Sequence, residues 1–222
     1  MNKPEIVFEN RHDAGRKLAE VLDQYRGKPV VVLAIPNGGV PIGFEVAKSL
    51  DAEFDVVISR KIPMPLSPEG GFGAIADDGT MILNDDIVKK IGLTMSQVDY
   101  EANKVRAVIK QRSLLYRANR PLTRVLGKTV IVIDDGLASG ITMKAAVESI
   151  RHRRPKEIIA AVPTASTTAL PLVRSVSDKV ITCITGEPPY AVSDYYHHWY
   201  DVSDDDVVKT LGNWRSQHMM RA

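Results

Sequence analysis

The stretch IVIDDGLASGIT, residues 131–142, runs from β-branched residues into two adjacent carboxylates, then into small residues and two hydroxyls. The Val- and Ile-rich run reads as a buried strand, and helical periodicity begins after Thr142. Asp134 and Asp135 repel each other, and the loop after them has little side chain with which to pack. Small residues at 138–140 let an anion approach the backbone N–H groups of a helix start, and Ser139 and Thr142 can complete a phosphate's shell. The carboxylates stand where they can accept hydrogen bonds from two vicinal sugar hydroxyls. The alternative is that they only bond loop amides.

Similar strands flank this one. PVVVLAI (29–35), TVIVID (129–134) and EIIAAV (157–162) read as buried parallel strands, and FDVVIS (54–59) and KVITCI (179–184) resemble them. Helical patterns lie between them: 13–25 with Asp13 as N-cap, 41–50 from Pro41, 84–91 from Asn84 to Gly92, 94–118 opened by Thr94, and 142–153. Asp78-Gly79 reads as the turn of a β-hairpin within 71–83. Alternating strands and helices predict an α/β fold with a doubly wound, mostly parallel five-stranded sheet. Ligands bind at the carboxyl ends of such strands, which points to PNGGVP (36–41), RKIPMPLSPEGG (60–71), DGLASGIT (135–142) and PTASTT (163–168). A core over 1–185 with a helical insertion at 84–120, a small unit over 186–215 and a frayed tail from 216 complete the expected organisation.

Composition narrows the function. Charged residues make up 25% of the 222-residue chain and the formal net charge is +2, which gives no field for nucleic acid or an anionic membrane. No apolar run reaches the roughly 20 residues of a membrane span, and the first residues lack a signal peptide's apolar core. The single cysteine, Cys183, leaves no intrachain disulfide or cysteine-rich zinc site, so a cytoplasmic location is expected. Two nucleotide motifs fail. GKT at 127–129 lacks the glycine a P-loop needs at 122, where Leu122 stands, and it precedes a strand when it should follow one. Gly71, Gly73 and Ala76 have dinucleotide-binding spacing but no strand–helix context.

The sequence V-I-V-I-D-D-G-L-A-S-G-I-T closely resembles the signature of type I phosphoribosyltransferases, which bind 5-phosphoribosyl 1-pyrophosphate (PRPP). The pattern RK-x-x-x-P-x-x-PE-x-x-x-GA from Arg60 looks most like a stand-alone group of such proteins in bacteria and archaea. The resemblance implies Mg²⁺-dependent transfer of phosphoribosyl from PRPP to a nitrogenous, nucleobase-like acceptor, with release of pyrophosphate. It implies that Asp134 and Asp135 hold the ribose hydroxyls and, through PRPP and water, the metal. Ala138, Ser139, Gly140, Ile141 and Thr142 would grip the 5′-phosphate. Asn37, Gly38, Gly39, Arg60 and Lys61 would meet pyrophosphate, and Lys61 is also a catalytic candidate. A flexible loop at 62–80 would close over the site and carry Glu69 as a proton shuttle; an exposed loop glutamate is the plain alternative. Ala138 replaces the third acid of 6-oxopurine enzymes, so such an acceptor is disfavoured.

Acceptor contacts would come from loop 163–168, where Thr164 lies, and from a C-terminal hood. There Tyr190, Tyr195 and Trp199 could stack on a base, or could pack a subdomain or a dimer contact. His197 and His198, being adjacent, are expected to face different ways and make a poor metal pair. Asp204–Asp206 read as a solvated acidic stretch or a helix start. A homodimer is one expected assembly, with no nucleic-acid or membrane partner. The alternative function is a non-catalytic PRPP- or nucleotide-binding regulator.

Overall fold

The structure, a computed structural model, describes residues 7–65, 67–118 and 120–219, with the side chains of 67–69, 218 and 219 outside the described residues. Five parallel strands form the main sheet in the order β2-β1-β6-β7-β8: β1 (Val30–Ala34), β2 (Glu53–Val56), β6 (Thr129–Ile133), β7 (Glu157–Ser166) and β8 (Lys179–Gly186). Period-two alternation divides their side chains between two cores. Val30, Val32, Ala34, Ile131 and Ile133 face one layer with Leu18, Val46 and Leu50. Val31, Leu33, Val130 and Val132 face the other with Met143, Val147 and Val173. Helices α1 (Arg11–Val21), α2 (Gly39–Leu50) and α7 (Asp204–Met219) supply the first layer, and α5 (Ile141–Arg151) and α6 (Leu170–Arg174) the second. The doubly wound α/β reading stands.

A second sheet carries the chain away from this frame. The run at 54–59 is not one strand: β2 ends at Val56, and Ser59 opens β3 (Ser59–Met64). Strand β3 pairs antiparallel with β4 (Ser67–Ala76), which pairs with β5 (Met81–Leu83). The predicted Asp78-Gly79 turn joins β4 to β5, with Gly79 at φ +93° and its N–H on the Ala76 carbonyl. Much of 62–80 is therefore regular sheet. Asn84 caps α3 (Asp85–Lys90), and Thr94 opens α4 (Met95–Arg117) with a reciprocal capping box to Gln97.

Other boundaries move for identifiable reasons. Asn10, not Asp13, caps α1 by accepting from the Asp13 N–H, because Arg11 and His12 already adopt helical geometry. Helix α2 starts at Gly39, two residues before Pro41. The segment 163–168 is not all loop, since β7 continues through Ser166 by pairing with β8. The tail from 216 is not frayed up to Met219: α7 runs that far, and its Trp214 packs edge-on against Phe44 and Phe54. Among the described residues, no helix is long and apolar enough to cross a membrane.

Candidate functional site

The loop after β6 is held as part of the sheet. The Leu137 N–H donates to the Thr164 carbonyl (3.0 Å), and the Ser166 N–H donates back to Leu137 (2.8 Å). This pairing leaves Ala138 and Ser139 exposed, and Gly140 starts α5 at φ +77°, a conformation that disfavours a side chain. The Ser139 hydroxyl accepts from the Ile141 N–H at 3.4 Å, which marks that amide as accessible to an acceptor. Thr142 is fixed from the second sheet, its carbonyl accepting from the Ser59 hydroxyl at 2.9 Å.

The turn after β1 lies flat on the acid pair. A Cβ on Gly38 would stand 1.9 Å from Asp135 Oδ2, and one on Gly39 would stand 2.7 Å from the Ile133 carbonyl. Gly38 has ordinary helical dihedrals, so close approach and not backbone freedom requires glycine there. Gly38→Ala is expected to lower stability by about 1–3 kcal/mol through this overpacking, seen as a lowered calorimetric midpoint.

Asp135 is claimed by Arg11, at the start of α1. Arg11 Nε and Nη2 both donate to Asp135 Oδ2, at 3.0 and 2.9 Å, and Nη1 donates to the Tyr200 carbonyl at 2.6 Å. The guanidinium also lies 3.8 Å from the centre of the Trp199 ring, and the Tyr196 hydroxyl donates to the Asp135 carbonyl at 2.8 Å. Asp134 forms no ion pair of its own among the described residues. Its Oδ1 accepts only the neighbouring Asp135 N–H, at 2.9 Å. Burial, then the charge of Asp135, pushes the Asp134 carboxyl well above the usual carboxylate range. Burial also raises Asp135, but Arg11 pulls it back.

Asp134 borders a cleft of about 520 Å³ that also receives Pro36, Arg60, Lys61, Thr142 and two α4 cations, Lys104 and Arg112. Burial, and after it the charge of Arg112, pushes the Arg60 guanidinium downward. Glu101 lines the same cleft and takes up Lys104, whose ammonium lies 2.9 Å from Glu101 Oε1, so Lys104 is already neutralised there. Asn37, beside the cleft, is turned elsewhere. Its Nδ2 donates to the Val202 carbonyl (2.8 Å) and Asp204 Oδ1 (2.9 Å), and its Oδ1 accepts from the Tyr116 hydroxyl (3.1 Å). Tyr116 and Arg112 also reach Asp204 Oδ1, at 2.6 and 3.0 Å. Of its two expected places Asp204 takes the helix start: it opens α7 and ties the turn after β1 to α4.

The hood residues separate. Tyr190 reaches Thr164, hydroxyl to hydroxyl, at 3.0 Å. Tyr195 is buried against Phe8, its ring 5.4 Å from that of Tyr190, and offers no open stacking face. Trp199 is partly exposed, with Arg11 over its ring. The Glu69 side chain lies outside the described residues. Sequence reading misses Arg11, Tyr116, Arg112 and Asp204. Only the acidity at the start of α7 leaves a local signal; the others are single polar residues in helices, whose partners lie far along the chain.

Against known proteins, residues 7–198 match the model of the phosphoribosyl transferase domain. A Mycobacterium tuberculosis protein provisionally named as a phosphoribosyl transferase is 38% identical over 205 residues, covering 92% of this chain. The chain spans 46% of that relative's length, about half. The bifunctional protein PyrR of Corynebacterium diphtheriae is 29% identical over 164 residues, covering 70% of this chain and 67% of PyrR. The crystal structure of TT1426 from Thermus thermophilus superposes with a TM-score of 0.75 at 33% identity, covering 94% of this chain and 99% of that one.

Proposed function

The chain belongs to the phosphoribosyl transferase domain family, and from that premise we propose that it transfers the phosphoribosyl group of PRPP to a nitrogenous acceptor. The observation that carries this reading is the meeting of the β1 turn and the Asp134–Asp135 pair beside a cleft lined by Arg60 and Lys61. Backbone from 138–142 receives the 5′-phosphate at the start of α5, and Asp134 accepts hydrogen bonds from the ribose hydroxyls. The acceptor nitrogen forms a bond to the anomeric carbon as the bond to pyrophosphate breaks, and the electron pair leaves with pyrophosphate. Arg60 and Lys61 balance that charge. The nitrogen's proton goes to a base, the part assigned to Glu69.

Mg²⁺ fits these residues. Asp134 is a partly buried carboxylate whose charge is crowded by Asp135 and not matched by a cation of its own, and its oxygens suit a hard dication. When bound, Mg²⁺ would draw charge from the pyrophosphate oxygens. On the acceptor side, Thr164 and Tyr190 are the two candidate residues that meet, and Ala138 leaves the cradle without the acid of 6-oxopurine enzymes. The second reading, a PRPP-binding regulator, draws on Arg11, which already occupies Asp135. Titration calorimetry with PRPP and Mg²⁺, paired with a pyrophosphate-release assay across nitrogenous bases, separates the two. Release dependent on one base supports transfer. Binding without release for any base favours the regulator, and no binding overturns both.

A further inference from the structure

His197 and His198 do not diverge as their adjacency predicts. Residues 7–9 and 195–198 are zipped together by a parallel bridge between Phe8 and Tyr196. The His197 N–H donates to the Phe8 carbonyl and the His198 N–H to the Glu9 carbonyl, both at 2.8 Å. The two imidazoles sit edge-on with centroids 4.5 Å apart, and His198 Nε2 lies 3.1 Å from Glu9 Oε1. One donor atom from each of Glu9, His197 and His198 lies within 4.8 Å of the others. All three residues are exposed.

We propose that Glu9, His197 and His198 form a binding site for a late first-row divalent metal such as Zn²⁺. Two imidazoles and a carboxylate match the preference of Zn²⁺ or Cu²⁺, whereas Mg²⁺ selects oxygen donors alone. Bonds of about 2.1 Å place the ligand atoms of a tetrahedral site about 3.4 Å apart. The observed spacing is within reach of that by rotation of exposed side chains, because the backbone carrying them is already fixed. Water completes the coordination. The metal would join residue 9 to residues 197–198, on the strap whose next residues, Trp199 and Tyr200, hold Arg11 against Asp135. Metal binding therefore tightens that strap, whichever reaction the cleft performs.

The test uses the full chain without a histidine tag, stripped with chelator and titrated with Zn²⁺ in excess Mg²⁺ by calorimetry. One equivalent is expected. It should weaken about tenfold or more in His197→Ala and in His198→Ala, since loss of a ligand costs at least what loss of an outer partner does. The equivalent should vanish in the double variant, weaken in Glu9→Gln and persist in His152→Ala. Cu²⁺ electron paramagnetic resonance of the wild-type protein should show two coupled imidazole nitrogens, and one in each single variant. Circular dichroism of the metal-free variants checks that they fold. No equivalent bound by the wild type, an unchanged equivalent in the double variant, or a nitrogen pattern indifferent to both substitutions would overturn the proposal.

Discussion

Asp134→Asn is expected to reduce kcat/KM for pyrophosphate release by about 10²–10⁴-fold, because two charge-assisted hydrogen bonds to ribose are each worth roughly 1.5–3 kcal/mol. The same substitution is expected to leave the fold intact and to stabilise it near neutral pH. Asp134 has no ion pair to lose, and its ionisation in the folded state is opposed by burial and by Asp135. The pH dependence follows in sign. A carboxyl raised in the folded state lends stability that is complete below its unfolded pKa, about 3.9 for aspartate. That stability is lost as pH rises through the raised folded value. The wild-type chain should therefore lose stability over that interval relative to Asp134→Asn, and calorimetric midpoints of both proteins across pH 4–8 would show the curves separating upward. Unchanged turnover in Asp134→Asn would remove the ribose-binding role from this residue.

Arg11→Met is expected to lower stability sharply. The Arg11 side chain is 4% exposed, and it is the cation that neutralises Asp135 beside a second carboxylate. Removing one partner of a buried pair costs about 3–5 kcal/mol. For a chain of this length, each kcal/mol lowers the midpoint by roughly 2–4 °C, so a fall of roughly 6–20 °C is expected. Much of the loss should be recovered in the Arg11→Met, Asp135→Asn double variant, which removes the stranded charge with its partner. A double variant less stable than Arg11→Met would show that Arg11 matters through packing on Trp199 and not through charge.

The parts of this molecule that are legible in its sequence are those written in local pattern. Ile131–Ile133, Val30–Ala34 and Ile158–Val162 are strands because unbroken β-branched and apolar runs suit a sheet covered on both faces. Asn84 and Thr94 announce helix starts because their side chains bond amides three residues on. The cradle after β6 can be read because glycine and small residues leave a mark in composition. Thr164–Ser166 reads as loop, since Pro, Thr and Ser carry turn propensity, yet pairing with Ile184–Gly186 overrides it. Ser59 reads as the end of the wrong strand, because nothing in FDVVIS records that the chain changes sheets. Arg11 is invisible for another reason: its partner is 124 positions away, and periodicity carries no information at that range. Comparable distance brings His197 and His198 to Glu9, which adjacency alone does not foretell.

The bond from Asn37 to Asp204 spans 167 positions. It sets a calendar for synthesis. The turn after β1 leaves the ribosome long before the helix that fixes its side chain. Domains fold as units as the chain emerges, and long-range contacts wait for both ends to exist. A nascent chain halted before residue 204 would already have all five strands of the main sheet, but not the clasp on Asn37.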